Sequence, residues 1–521
     1  MNRHLSEHFS AIGALRLVMV LALASCQVPF ARQANTPAAP TPSYWPTQGW
    51  QTTTPEEQGV DSAKLAESLR AIRAKNLNLH SLLLIRNGRV IVDAYYYPYD
   101  GKTVHELASV TKSIMTTLIA IAADQGKLKL DQPMVSFFPN RTIANRDARK
   151  ERITVRHLTG MVSGLDSVGH ARDEGTLTDM TNSKDWVQFA LDRKVIWEPG
   201  THFIYDSPST HLLSAILQQA TGMTALDFGR KYLFEPLGIR DVLWDVDPQG
   251  YTHGWGDIFL HPRDTAKIGY LWMNKGMWEG KQIVASLWVT DSTKTQIKTG
   301  ENDDYGYGWW ITGEQPHEYA AVGRGGQRIQ VYPAANAMLV MTAGGAEYDD
   351  VIALLMPAFA NVGKPQPANA DSMKQLNGVL AEIATGPTAK PVAALPATAR
   401  AISSKSFALE PNALTLTNLR LDFDTSVVAT LQLGLTNNQP SIVAKVGLDG
   451  VYRFSPWEHQ LLVGVRGTWA DDKTFVMEFD GIANRDAYTI NARFDQDRVV
   501  MAVKERTREA TVTIKGVLAT E

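Results

Sequence analysis

The sequence predicts an α/β (α+β) chain: an antiparallel sheet flanked by helices and carrying a helical insert, followed by a small all-β domain. Three patterns point there. The stretch "ELASVTKSIMTTLIAIAADQGKL" (106–128) has no charge from Ser113 to Ala123 and is apolar in every direction, as in a helix enclosed by a core. Strand-like runs stand at both ends of a central region with helical spacing between them, which predicts one sheet built from distant segments. From about Ser404 onward, short alternating runs such as "LTLTNLRLDFD", "TFVMEFDGI" and "TVTIKGV" are separated by turns, an antiparallel meander forming a small barrel or sandwich.

The elements follow in order. Asp61-Ser62 caps a helix over "AKLAESLRAIRAK". Two β-rich runs in "HSLLLIRNGRVIVDAYYY" flank Asn87-Gly88, a strong hairpin signal. The buried helix comes next and ends near Gly126. Helical spacing recurs in "STHLLSAILQQATG" (209–222) and "PRDTAKIGYLWMNKG" (262–276). Strands return in "YGYGWWIT" (305–312), "RIQVYP" (328–333) and "AMLVMTAGG" (337–345), before "DDVIALLMPAFANVG" closes the region as a helix. The expected domains are 1–26 as a leader, 27–55 as a Pro/Ala/Thr-rich tether, 56–362 as the main domain, 363–400 as a linker with one short helix, and 401–521 as the β-domain.

Composition narrows the function classes. The chain has 521 residues, 44% hydrophobic and 20% charged, and a formal net charge of −3. No basic stripe is present, so nucleic acid is set aside as a partner. The single cysteine, Cys26, follows Arg16 and a short apolar run from Leu17 to Ala24, too short to span a bilayer as a mature helix. "LASC" (23–26) resembles the lipobox of bacterial lipoproteins, which implies lipidation of Cys26 and attachment to the cell envelope through acyl chains. Gln27 after the cysteine implies the periplasmic side of the outer membrane if the cell is Gram-negative.

Lys112 is the anomaly in the buried helix. Residues three apart share a helix face, so Lys112 meets Ser109. A serine hydroxyl is a poor nucleophile until a base takes its proton, and burial disfavours an ammonium, which suits a lysine to accept that proton or to act as an electrostatic partner. The amide of a residue in the first turn points outward at a positive helix end, where a developing oxyanion is stabilised.

"PGTHFIYDSPSTHLLSAIL" supplies a second element, Tyr205-Asp206-Ser207, ahead of a helix. With "ITVRHLTGMVSGL", "LFEPLGI", "HPRDTAKIG" and "YGYGWW" in the right order, the segment 45–362 resembles the serine β-lactamase/penicillin-binding superfamily, in particular its class C-like esterases, peptidases and 6-aminohexanoate-dimer hydrolases. The resemblance implies Ser109 as nucleophile, and Lys112 and Tyr205 as the groups that move its proton. A literal Lys298-Thr299-Gly300 resembles the family's third motif, but it runs into the polar loop Glu301-Asn302-Asp303-Asp304. "VGRGGQRIQVYP" resembles the Gly-Gly-Gln variant better, and by that match the backbone amides of Ser109 and Gln327 form the oxyanion hole. Losing one such donor costs about 3–4 kcal/mol of transition-state stabilisation.

Substrate contacts are expected from Ser207, Asp206, Arg324, Gly325, Gly326 and Trp309, the glycines by letting a ligand approach the backbone. His105, His157, His253 and His261 lack metal-ligand spacing, so neither a metal nor another cofactor is expected. The expected activity is an exported serine hydrolase forming an acyl-enzyme with a small ester or amide. The rivals are a D-alanyl-D-alanine carboxypeptidase, a weak β-lactamase, and, from another class, a non-catalytic ligand- or wall-binding lipoprotein. The β-domain resembles lipocalin-like modules.

Overall fold

A computed structural model describes residues 42, 44–167, 174–313, 318–360, 364–436, 441–457, 461–506 and 511–519. The leader and the expected lipidation of Cys26 lie outside them. α1 (Ser62–Ala74) is capped by Asp61, whose side chain accepts from the amides of Ala63 and Lys64. β1 (Leu79–Arg86) and β2 (Arg89–Tyr95) form the expected hairpin, with Asn87 and Gly88 at φ 50° and 74°. Then come β3 (His105–Glu106), α2 (Val110–Asp124), α3 (Ser207–Thr221), β4 (Leu243–Trp244), β5 (Ile258–Leu260) and α4 (Pro262–Met273). β6 (Asp304–Tyr305), β7 (Trp310–Thr312), β8 (Glu318–Gly323), β9 (Gln327–Tyr332) and β10 (Ala337–Ala343) follow, with α5 (Tyr348–Leu355) and α6 (Ala370–Ala384) after them.

The main sheet is antiparallel in the order β2-β1-β10-β9-β8-β7-β6. β1 pairs with β10, for instance Leu83 with Val340, so the two ends of the segment do meet in one sheet. Alternation along β1 divides its side chains between two cores. Leu83 and Ile85 pack with α2, α3 and α4, while Leu82 and Leu84 pack with α1, α5 and α6. α2 is buried from Val110 to Ala122, between the sheet and α3.

Three boundaries differ from expectation. The run 305–312 is two short strands, because Gly306 passes against the Ser292 carbonyl and Gly308 turns at φ 77° over Thr116. The expected linker 363–400 contains α6, which buries Leu376, Val379 and Ile383 in the core beside α1, with Arg70 and Glu382 paired at 3.0 Å. The tether also ends early. Trp45 packs 5.2 Å from Trp278 and Trp50 donates to the Arg263 carbonyl, so two tryptophans outweigh the Pro/Thr composition around them.

Among the described residues, ten strands between Ser406 and Leu518 form the second sheet. Strand Ile442–Gly447 also pairs with Leu462–Trp469, which closes the sheet into a barrel around Leu419, Leu431, Val465, Phe475, Met477 and Met501.

Candidate active site

Ser109 stands at the N-terminal end of α2, half-buried, behind a constrained approach. Ala108 holds φ 46°, a conformation that costs a non-glycine residue on the order of 1 kcal/mol. Its amide donates to Glu106 Oε1 at 2.6 Å, and the Leu107 amide donates to Ile258 O at 2.9 Å. The strand-to-helix corner is thus tied down on both sides of the backbone.

One turn on, Lys112 is 1% exposed. Desolvating an ammonium costs several kcal/mol unless partners replace water. Lys112 Nζ donates to Ser109 Oγ at 2.9 Å and to the Trp255 carbonyl at 3.0 Å, and it lies 4.8 Å from the centroid of the Tyr205 ring. Sequence reading missed Trp255, since a backbone carbonyl 143 residues away carries no local signal. The Tyr205 ring stacks on Trp310 at 5.7 Å. Serine, lysine and tyrosine therefore converge, with aromatic walls from Trp310 and Tyr205.

Several other expected site residues have partners within the protein. Asp206 is 1% exposed and forms a two-pronged pair with Arg193, both distances 2.9 Å, while also accepting from the Ser209 hydroxyl. It anchors the chain between Tyr205 and α3 and does not face substrate. Ser207, at the first turn of α3, is buried. Trp309 is fully buried against Trp272 and Tyr319, whereas Trp310, the first residue of β7, is the one that meets Tyr205.

The third motif is also rearranged. Lys298-Thr299-Gly300 stays in an irregular loop. The turn after β8 carries Gly325 and Gly326 at φ 83° and 94°. A Cβ on Gly325 would lie 3.1 Å from Arg485 Cβ, and one on Gly326 would lie 2.1 Å from the Ala346 carbonyl. Both glycines make room for protein, not for a ligand. Gln327 is fully buried, pairs in register with Gly323, and fixes Ala343 through both ends of its side-chain amide. These contacts account for its side chain, while the oxyanion-hole expectation concerns its backbone amide. Gly323 is the residue of this turn that abuts the nucleophile corner; a Cβ there would lie 2.5 Å from the Leu107 carbonyl. Arg324 does bind a carboxylate, but that of Glu505 in the barrel, at 2.8 Å.

Burial pushes the Glu106 carboxyl up to about 7, with Arg485 pulling it down and Asp257 and Asp486 pushing it up. Burial also lowers His105 to about 4, favouring a neutral imidazole, whose Nε2 lies 2.8 Å from His80 Nδ1. The sequence showed no metal-ligand spacing, yet the fold brings Asp245, His253 and Asp257 together, their ligand atoms within 4.8 Å of one another. His253 Nδ1 is 2.8 Å from Asp257 Oδ2, and its ring stacks on Trp255.

The beta-lactamase family pattern matches residues 79–355, just over half of the chain. The chain belongs to that family. The beta-lactamase-family relatives include the 6-aminohexanoate-dimer hydrolase of Paenarthrobacter ureafaciens, 23% identical over 318 residues, covering 57% of this chain and 81% of that protein. Esterase EstB of Burkholderia gladioli is 26% identical over 213 residues, 36% of this chain and 53% of the esterase. Among solved structures, "EstCE1, a hydrolase with promiscuous acyltransferase activity" is 18% identical with a TM-score of 0.49, over 57% of this chain and 98% of that one. This protein is a serine hydrolase of the beta-lactamase-related type.

Proposed function

We propose that the protein is an exported, lipid-anchored hydrolase that cleaves a small ester or amide through an acyl-enzyme on Ser109. The observation that carries this reading is the 2.9 Å contact between Lys112 Nζ and Ser109 Oγ under the Tyr205 ring. Lys112 and Tyr205 pass the Ser109 proton between them as Oγ attacks the carbonyl carbon. The oxyanion forms against the Ser109 amide at the positive end of α2 and against the turn that starts at Gly323. The leaving group takes its proton from Tyr205. Water activated by the same pair then releases the acyl group and restores Ser109.

Ester or amide is preferred to a β-lactam because Arg324, in the place of the penicillin-recognising cation, is held by Glu505. The aromatic walls Trp310 and Tyr205 favour an apolar acyl or leaving group, and relatives named for ester and 6-aminohexanoate-dimer hydrolysis support the same class. The test is stoichiometric labelling by a fluorophosphonate probe with loss in Ser109→Ala, then turnover of p-nitrophenyl esters, a 6-aminohexanoate dimer, nitrocefin and a D-Ala-D-Ala peptide. Equal labelling of wild type and Ser109→Ala would defeat the reading. Export and anchoring rest on the "LASC" stretch, and radiolabelled palmitate entering wild type but not Cys26→Ala is the expected result.

A further inference from the structure

The barrel touches the hydrolase centre at the two backbone corners that matter to it. The turn joining strands Thr474–Gly481 and Ala487–Asp495 carries Ala483 at φ 66°, and the Ala483 carbonyl accepts from the Glu106 amide at 2.9 Å. Two residues on, Arg485 Nη1 lies 2.7 Å from Glu106 Oε1, with side chains 18% and 3% exposed. That same oxygen receives the Ala108 amide, one residue before Ser109. The Arg485 stem lies against Gly325, and Glu505 of the barrel holds Arg324 in the same turn. Glu106 is thus gripped through its backbone and its carboxylate by one barrel loop, and the carboxylate oxygen that meets Arg485 also sets an amide at a positive-φ corner.

We propose that the barrel is a working part of this centre, with Arg485 a positioning residue that acts on Ser109 through Glu106 and the Ala108 amide. The inference rests on Ser109 being the nucleophile. Its physical basis is the Ala108 conformation, which needs surrounding bonds to hold it. Glu106 supplies one such bond through Oε1, and Arg485 Nη1 holds that same oxygen at 2.7 Å in a charge-assisted contact. Asp257 and Asp486 line the same small cavity beside Glu106 and Arg485, so the guanidinium also offsets carboxylates that would otherwise repel Glu106. Without Arg485 the carboxylate is free to rotate away from the Ala108 amide, and Ser109 Oγ leaves its line between Lys112 and the oxyanion donors.

The experiment uses the full chain and two readouts: the rate of Ser109 labelling by a fluorophosphonate, and kcat and KM with a p-nitrophenyl ester. Arg485→Ala is expected to lower the labelling rate and kcat about 10–100-fold with KM within about twofold, the effect of a small misplacement of a reacting group. Arg485→Lys should recover part of the loss, since an ammonium still engages one carboxylate oxygen. Arg485→Ala combined with Glu106→Gln should be no worse than the poorer single variant, because both act through one contact. If Arg485→Ala does not fold, Arg485→Gln keeps the stem against Gly325 and is read in the same way. Wild-type kcat in the folded Ala or Gln variant overturns the inference, as does a change confined to KM, or additive losses in the double variant. Failure of wild type itself to label at Ser109 removes the hydrolase reading, and this inference with it; the two failures are therefore distinct.

Discussion

Replacing Asp206 by alanine separates a structural anchor from a specificity group. The carboxylate meets Arg193 through two parallel bonds of 2.9 Å, with the paired side chains 2% and 7% exposed. Breaking such a pair from one side strands a buried guanidinium and costs about 3–5 kcal/mol. The Asp166 carbonyl and the Ser209 hydroxyl, at 3.1 and 3.3 Å, are neutral acceptors and cannot replace the lost charge. At roughly 2–4 °C per kcal/mol, Tm should fall by about 6–20 °C. Circular dichroism melts at fixed pH measure this directly. Arg193→Met/Asp206→Ala should melt above Asp206→Ala, since the orphan charge is gone. A Tm within about 2 °C of wild type, combined with an altered KM, would refute the anchor and return Asp206 to the substrate surface.

Trp309→Ala should destabilise by about 3–5 kcal/mol through a core cavity while leaving KM unchanged, whereas Trp310→Ala should raise KM with a smaller effect on melting. Gly323→Ala should cost about 10–100-fold in kcat, because its methyl would press on the Leu107 carbonyl ahead of Ser109; steady-state kinetics at saturating ester check it. Glu318 gives a pH signature. Burial raises its carboxyl to about 7, with Arg328 opposing, so the folded chain holds a proton that the unfolded chain releases above about 4.3. Stability therefore falls as pH rises from about 4.3 to 7 and is level beyond. Glu318→Gln should be more stable than wild type by about 1–3 kcal/mol at pH 8 and equal to it near pH 4 in urea titrations.

Sequence alone determined what is local. The three-residue spacing of Ser109 and Lys112 fixes their contact once α2 forms, and the uniform apolarity of that helix dictates its burial. Asn87-Gly88 set the hairpin, and alternation set the barrel strands, because turn chemistry and a two-residue period are properties of short segments. Only the tertiary structure decided which polar groups face each other. Asp206 reads as a substrate contact until Arg193 is brought against it, and Trp309 reads as one until the fold buries it and sets Trp310 against Tyr205 instead. Glycines 325 and 326 read as openings for a ligand, yet Arg485 and the Ala346 carbonyl occupy their free sides. The grip of Arg485 on Glu106 joins segments at opposite ends of the chain. Such contacts form only when folding removes both partners from water together, and no periodicity along the chain records that event.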